Sequence, residues 1–321
     1  MSLTRRTLLQ SVAAIGAAPI LGRAASADTV KVLLDTDIGS DIDDAVALAY
    51  LLSEPRCDLL GITTVTGAAH ERVALARYLV EAAGKRLPIV AGYELPYVIE
   101  QRQKEAPQAA KLDHAPRVSA REPDRAVSFL RETILKHKGE VTLLAVGPFT
   151  NVARLIEQDP QITRHLKELV IMGGKYSDYP TPWGPTEWNA IIDPHATDLM
   201  FRGVHCPVRA FGLDITWRLG MLPDEVASQF SKDPLLQIVL DWSEVWFAER
   251  AELHFHDPLA ALAIFHPEVC EYQAGHVQVE LESGPRQGVT EWHPDPASLV
   301  RIASGVSESR FYERFFQTFR Q

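Results

Sequence analysis

The chain of 321 residues is poor in cysteine and carries no excess of positive charge. Its three cysteines, Cys57, Cys206 and Cys270, have a spacing that fits no metal-binding framework. We therefore expect each of them to be a small buried apolar residue. The formal net charge of -10 argues against nucleic acid and anionic membranes as partners.

The N-terminal segment has the pattern of an export signal. Arg5 and Arg6 precede a mildly apolar stretch over residues 12–21, and small residues follow at 25–27. The apolar stretch is too short to span a bilayer as a permanent helix. The paired arginines predict a twin-arginine signal over residues 1–27 and a periplasmic or secreted protein. A disordered cytosolic leader is the alternative.

After this segment, apolar runs alternate with amphipathic helical patterns. This alternation predicts an α/β fold with a doubly wound, mostly parallel sheet, helices on both faces and a C-terminal region of helices and short strands. Without an internal repeat or linker, residues 28–321 are expected to form a single domain. The predicted strands cover residues 30–34, 59–65, 87–91, 141–146, 169–172, 208–213, 276–282 and 289–292. The predicted helices cover residues 43–52, 72–83, 124–137, 151–158, 194–201, most of 222–255, and 308–319.

Five carboxylates are concentrated in the turn between the first strand and the first helix. They belong to Asp35, Asp37, Asp41, Asp43 and Asp44. So many anions in one turn repel each other unless a cation neutralises them or some pKa values rise. Hard oxygen ligands in a flexible turn suit Ca²⁺ or Mg²⁺. The alternative is a solvated turn whose aspartates cap the next helix.

Two later segments carry further candidate residues. Thr150 follows a predicted strand, where its carbonyl can serve as a hard-cation ligand or its side chain can cap a helix. Glu187, Trp188 and Asn189 lie in a long loop, and a carboxylate, an aromatic ring and an amide suit a polyol such as ribose. An ordinary polar loop is the alternative for these three residues.

His256 and Asp257 stand directly before Pro258 and a predicted helix. Asp-Pro is a common helix start, so Asp257 can be explained as an N-cap alone. The pair is also compatible with metal ligation and proton donation.

Taken together, these motifs resemble those of the inosine–uridine-preferring nucleoside hydrolases, the calcium-dependent N-ribosyl hydrolases. The resemblance covers nearly all of the chain after the signal, with its motifs in the same order. The motifs lie at residues 34–48, 62–67, 141–151, 168–174, 187–194 and 256–258.

The resemblance implies hydrolysis of the N-glycosidic bond of a ribonucleoside or related N-riboside, giving free base and ribose. By this resemblance Ca²⁺, rather than Mg²⁺, is held by Asp37, Asp44, the Thr150 carbonyl and Asp257. Asp37 takes a proton from a calcium-bound water, and His256 protonates the departing base.

The remaining residues are expected to hold the substrate or support the metal. Asp43, Glu187 and Asn189 hold the ribose hydroxyls by resemblance, and Trp188 joins them as a substrate-binding residue. Asp35 supports the metal ligands from behind. The family also implies a homodimer or homotetramer.

The chain departs from the family pattern at several points. Three residues, Ser40 to Ile42, separate the glycine from the aspartate pair where the family has one, so Asp41 competes for the roles given to Asp37 and Asp43. Ala68 stands where the family often has asparagine, and residues 183–185 lack another asparagine. The family's His-Gly run is missing, with residues 113–116 nearby. The base therefore stays open, as does the choice of His254 or His256 as proton donor.

Two other functions fit parts of the pattern. One is a periplasmic nucleoside- or sugar-binding protein that kept the metal pocket and lost turnover. The other is a phosphatase of the haloacid-dehalogenase type with its nucleophile in residues 35–37. The phosphatase needs a later acidic pair at the strand ends, which the sequence does not supply.

Overall fold

The computed structural model describes residues 29–112 and 124–320. The expected export signal over residues 1–27 and the segment 113–116 lie outside the described residues. No helix in the described parts of the chain is long and apolar enough to cross a membrane.

Within the described residues, a nine-stranded sheet forms the centre of the protein. Together with a separate two-stranded pair, the strands of the described residues are β1 (Val30–Thr36), β2 (Cys57–Thr64), β3 (Ile89–Ala91), β4 (Val141–Ala145), β5 (Glu168–Met172), β6 (Val208–Phe211), β7 (Gly220–Met221), β8 (Leu253–His254), β9 (Cys270–Val279), β10 (Thr290–Pro294) and β11 (Val300–Val306). The order in the large sheet is β10-β9-β11-β6-β5-β4-β1-β2-β3, while β7 and β8 form a separate antiparallel pair.

Helices cover both faces of this sheet. They are α1 (Asp43–Ser53), α2 (Ala69–Ala82), α3 (Asp124–Lys136), α4 (Thr150–Gln158), α5 (Trp188–Ile192), α6 (Pro194–Gly203), α7 (Leu213–Thr216), α8 (Pro223–Phe230), α9 (Pro234–Phe247), α10 (His256–Phe265) and α11 (Glu308–Thr318). Short 3₁₀ helices lie at Pro107–Lys111, Ile162–His165 and Pro267–Val269.

The topology places a switch point beside the first strand. β1 pairs in parallel with β2 on one side and with β4 on the other. The chain runs from β1 outward to β2 and β3 and then crosses back to β4. In doubly wound sheets, ligands bind outside the carboxyl ends of the strands at such a reversal. This is where the aspartate-rich turn after β1 lies.

The strand β1 shows why both faces must be covered. Leu33 packs into a core with α3, α4 and α6, while Val32 and Leu34 pack into the opposite core. Side chains of a strand alternate between faces, so a strand that is apolar on both sides needs helices on both. The opposite core includes α10, whose ten residues are all buried.

The predicted fold class is confirmed, and most predicted elements differ from the observed ones by a few residues at their ends. The prediction missed β11 and began β9 six residues late, at 276 instead of Cys270. The segment 222–255 contains two helices and ends in the short strand β8. β3 is shorter than predicted and begins after Pro88, whose ring removes the backbone donor that a sheet ladder uses.

Candidate active site

A cavity of about 230 Å³ opens at the carboxyl ends of β1, β4 and β5. Pockets for drug-sized ligands run from roughly 300 Å³ upward, so this cavity suits a small molecule. Its lining includes the candidate residues Asp37, Asp41, Asp43, Asp44, Glu187, Trp188, Asn189, His256 and Asp257. The two remaining candidate residues, Asp35 and Thr150, lie behind this lining.

The turn that carries the aspartates depends on one glycine. Gly39 has a φ of 116°, a conformation that side chains with a Cβ rarely adopt. A Cβ there would also lie 2.7 Å from Leu75 Cδ1 and 2.9 Å from Ala106 Cβ. The turn then leads into α1, whose first turn contains Asp43 and Asp44. The positive end of the helix dipole favours carboxylates at these positions.

Three buried carboxylates form the centre of the site. Asp43, Asp44 and Asp257 each offer an oxygen, and these oxygens all lie within 4.8 Å of one another. The Asp257 backbone N–H donates to Asp43 Oδ2 at 2.9 Å, and the Thr36 hydroxyl donates to Asp44 Oδ1. The structure therefore brings Asp44 and Asp257 together as the sequence predicted, and adds Asp43 to the group.

Electrostatics make this cluster a candidate cation site. Burial, together with repulsion from neighbouring carboxylates, raises the pKa of Asp43, Asp44 and Asp257 well above the usual range. Burial also raises the pKa of Asp41 to about 6. Such a group needs protons or a bound cation to exist. An all-oxygen set of hard ligands fits Ca²⁺.

Asp37 lines the same cavity and is held from outside its own loop. The Gln103 side-chain amide donates to Asp37 Oδ2 at 2.5 Å, and Arg72 donates to the Asp37 carbonyl oxygen. Burial raises the pKa of Asp37, and the nearby Arg72 guanidinium opposes that shift. Asp37 therefore lies beside the three-member cluster with its Oδ2 bound by Gln103.

Asp35 and Thr150 form a layer behind the cavity. The Thr63 hydroxyl and the Asn151 amide donate to Asp35 Oδ1 at 2.5 and 2.7 Å. Burial raises the pKa of Asp35 to about 7. The Thr150 hydroxyl donates to Asp193 Oδ2 at 2.8 Å, which leaves its predicted carbonyl role as a prediction. Asp35 lies behind the cavity in contact with Thr63 and Asn151, and its support of the metal ligands stays a prediction.

Glu187 and Asn189 are fixed by the start of α5. Glu187 caps this helix, accepting from the Asn189 N–H at 2.8 Å and from the Gly174 N–H at 2.7 Å. Asn189 donates from its amide to the Val146 carbonyl at 2.7 Å. Burial raises the pKa of Glu187 to about 7. Trp188 lies between them and is 47% exposed.

The two candidate histidines line different cavities, although their rings stack with centroids 5.5 Å apart. His256 lines the cavity, with Nδ1 2.7 Å from the Thr216 hydroxyl. His254 stacks on Trp217 at 3.7 Å and lines a different cavity. Burial lowers the pKa of His256 to about 3, which favours the neutral ring.

The sequence analysis missed several residues at the site, among them Arg72, Gln103 and Thr216. Arg72 is fully buried. It occupies the apolar face of α2 together with Leu75 and Leu79, and a charge on such a face was a signal of an internal role. For Gln103 and Thr216, no local pattern distinguished them from other polar loop residues.

Comparison with known proteins gives a consistent result. Residues 32–313 match the family described as inosine-uridine preferring nucleoside hydrolase. A probable uridine nucleosidase 2 from Arabidopsis thaliana is 28% identical over 306 residues, covering 86% of this chain and 93% of the relative. A pyrimidine-specific ribonucleoside hydrolase, RihB, from Escherichia coli O9:H4 (strain HS) is 30% identical over 277 residues, covering 81% and 86%.

Solved structures support the fold. A plant nucleoside hydrolase, PpNRh1, superposes with a TM-score of 0.78 at 24% identity, covering 90% of this chain and 98% of that one. A purine-preferring ribonucleoside hydrolase from Gardnerella vaginalis gives a TM-score of 0.75 at 24% identity, with the same coverage. The match over residues 32–313 spans most of the chain, and the chain therefore belongs to the inosine-uridine preferring nucleoside hydrolase family.

Proposed function

We propose that this protein hydrolyses the N-glycosidic bond of a ribonucleoside with the help of a bound Ca²⁺. The observation that carries the proposal is the meeting of Asp43, Asp44 and Asp257 within 4.8 Å in the cavity that Glu187, Asn189 and His256 also line. The cavity thus combines a cation site, groups for hydroxyls and a ring for the leaving base.

The ligands for the ion come from three parts of the chain. Asp44 and Asp257 would hold it from α1 and α10, with Asp37 and the Thr150 carbonyl as the further proposed ligands. Asp43 lies within reach of the same point and lines the cavity proposed to hold the ribose. When bound, Ca²⁺ supplies a positive charge that lowers the pKa of a water molecule.

The chain's own residues carry the remaining steps. Asp37 accepts the proton of the attacking water. Asp43, Glu187 and Asn189 hold the ribose hydroxyls and fix its orientation. The carboxylates also stabilise the positive charge of an oxocarbenium-like transition state.

His256 assists the departing base. Its pKa of about 3 favours a neutral ring. In the tautomer in which Nδ1 accepts from the Thr216 hydroxyl, Nε2 carries the hydrogen and donates to the base. A neutral imidazole can act as an electrophile in this way and stabilise, by this hydrogen bond, the negative charge that grows on the base.

Pyrimidine ribonucleosides are the first substrates to test. The names of the relatives from Arabidopsis thaliana and Escherichia coli refer to uridine and pyrimidines, and these relatives cover most of the chain. The loss of the family asparagines near residues 68 and 183–185 leaves room for a different base preference.

The test combines metal analysis with product analysis. Purified protein should contain about one calcium per chain and release free base and ribose from uridine or another member of a nucleoside panel. A chelator should stop the reaction and calcium should restore it. Binding of nucleoside without release of ribose would instead support the nucleoside-binding protein.

We also propose that residues 1–27 direct the folded protein to the periplasm by the twin-arginine route, and that the enzyme assembles as a homodimer or homotetramer. The signal proposal rests on Arg5, Arg6 and the small residues 25–27. The oligomer follows from the family resemblance and is measured by light scattering.

A further inference from the structure

Gln103 lies between the proposed general base and the mouth of the cavity. Its side chain is buried, at 6% exposed, although it belongs to a loop segment between β3 and the 3₁₀ helix Pro107–Lys111. Its Nε2 donates to Asp37 Oδ2 at 2.5 Å and to Ser40 Oγ at 2.7 Å. Its Oε1 accepts from the Trp188 indole N–H.

These partners determine which way the amide faces. An indole N–H only donates and an ionised carboxylate only accepts. Trp188 therefore requires the amide oxygen, and Asp37 requires the amide nitrogen. Both hydrogens of the nitrogen are used, because Ser40 takes the second one. A reversed amide would lose both the Trp188 and the Asp37 hydrogen bonds.

The backbone around Gln103 is fixed as well. The Gln103 N–H donates to Gln101 Oε1 at 2.7 Å, and Gln101 Nε2 donates to Thr66 Oγ1 at 3.0 Å. A Cβ on Gly67 would lie 2.5 Å from the Gln103 carbonyl oxygen, so the loop packs tightly on the turn after β2. This turn includes Ala68, where the family often has an asparagine amide.

We propose that Gln103 is a positioning residue that orients the Asp37 carboxylate and couples it to Trp188 at the mouth of the cavity. The proposal rests on the role of Asp37 as general base in the proposed function. With Oδ2 engaged by Gln103, Oδ1 is the Asp37 oxygen without a hydrogen-bond partner among the described residues. A proton acceptor held in one rotamer with one oxygen available is ready for water.

The first test compares Gln103→Ala with a matched control. Gln108 is also buried, and its amide donates to the Ser40 carbonyl at 3.2 Å, so it supports the same loop. Gln103→Ala should lower kcat about 10- to 100-fold, the usual cost of a hydrogen bond to a charged group, with KM changed less than about threefold. Gln108→Ala should leave kcat within about threefold. Equal losses in both variants, or none in Gln103→Ala, would overturn the proposal.

The second test measures coupling with Trp188→Phe, which keeps an aromatic ring and removes the indole N–H. Trp188→Phe should lower kcat by a smaller factor, and adding it to Gln103→Ala should cost little more. Independent, multiplying losses would contradict the coupling. In an Asp37→Asn background, Gln103→Ala should have no further effect on residual activity.

A crystal structure of the Gln103→Ala variant tests the inference independently of enzymatic activity. Rotation of the Asp37 carboxylate away from its wild-type orientation supports it, and an unchanged carboxylate overturns it. An inactive wild-type enzyme would refute the proposed function, whereas an active enzyme with an unaffected Gln103→Ala variant would refute only the role of Gln103.

Discussion

At the scale of single residues, the three central carboxylates act against folding until a cation neutralises them. Asp44→Ala should therefore lower calcium affinity by at least about tenfold and lower the Tm in saturating calcium, because ligand binding stabilises the native state. In chelator the variant should be no less stable than the wild type, since one buried charge is gone. Calorimetry and thermal melts measure both effects.

The control for this variant is Asp58→Ala, at an exposed position on β2. It should change neither calcium affinity nor Tm by more than a small amount. A wild-type calcium affinity in Asp44→Ala would contradict the shared site of Asp44 and Asp257.

Asp35 gives the protein a pH dependence of stability. Burial raises its pKa to about 7 in the folded state, from about 4 in the unfolded chain. Between these values the folded protein holds a proton that the unfolded chain has released, so stability falls as the pH rises from 4 to 7. The chelated protein should melt several degrees lower at pH 8 than at pH 5.

The isosteric variant Asp35→Asn tests the cause. It keeps an oxygen for Thr63 and Asn151 and cannot ionise. Chelated Asp35→Asn should show a smaller fall in Tm over the same pH range. A fall as large as that of the wild type would assign the effect to the other carboxylates.

His256 is best examined through the leaving group. If it donates a proton to the departing base, His256→Ala should reduce hydrolysis of ordinary nucleosides far more than hydrolysis of p-nitrophenyl riboside. The phenolate needs little protonation, and general acid catalysis matters less as the leaving group becomes more acidic. Equal losses on both substrates would make His256 a packing residue, and a matched His254→Ala variant shows whether the neighbouring ring shares the role.

At the scale of elements, the loop between β2 and α2 contains backbone strain that a single substitution can relieve. Ala68, at the start of α2, has a φ of 64°. This left-handed conformation costs an alanine about 1–2 kcal/mol, and glycine is also the better N-cap. Ala68→Gly should raise the Tm by about 2–4 °C. Ala69→Gly, one residue into the helix, should lower it, and an equal change of the same sign in both variants would contradict the strain.

The elements also explain how far the sequence could predict the fold. Strands such as β1 and β4 are continuous apolar runs, and α1 and α4 begin within a residue of their predicted starts. β11 was missed because Val300–Val306 includes serine and glycine and is partly exposed, so its periodicity is weak. Its position is decided by pairing with β6 and β9, which lie far away in the chain.

The residues of the candidate site likewise divide into those that the sequence could identify and those that it could not. Asp44, Asp257 and Glu187 lie in motifs whose residue types already carry the chemistry, so the sequence could identify them. Gln103 could not be identified, because its importance comes from its contacts with Asp37 and Trp188, which are 66 and 85 residues away. Only the folded chain brings these three side chains together.

At the scale of the whole molecule, the proposed export signal is separable from the fold. Replacing Arg5 and Arg6 by lysines should trap the precursor in the cytoplasm, because the paired arginines are what the twin-arginine pathway recognises. Deleting residues 1–27 should leave activity unchanged. Cell fractionation and an assay of the truncated protein measure these outcomes, and unimpaired export of the lysine variant would contradict the assignment.

The hydrogen bond from the Asp257 N–H to Asp43 joins residues 214 positions apart. Because α1 and α10 are far apart in the sequence, the acidic cluster cannot exist on a nascent chain that still lacks its last quarter. Closing so long a loop is entropically costly and slow, so it belongs to the late stages of folding. Calcium uptake during refolding should therefore lag behind the appearance of the helical circular-dichroism signal. The ion should then stabilise only chains in which α1 and α10 have already come together.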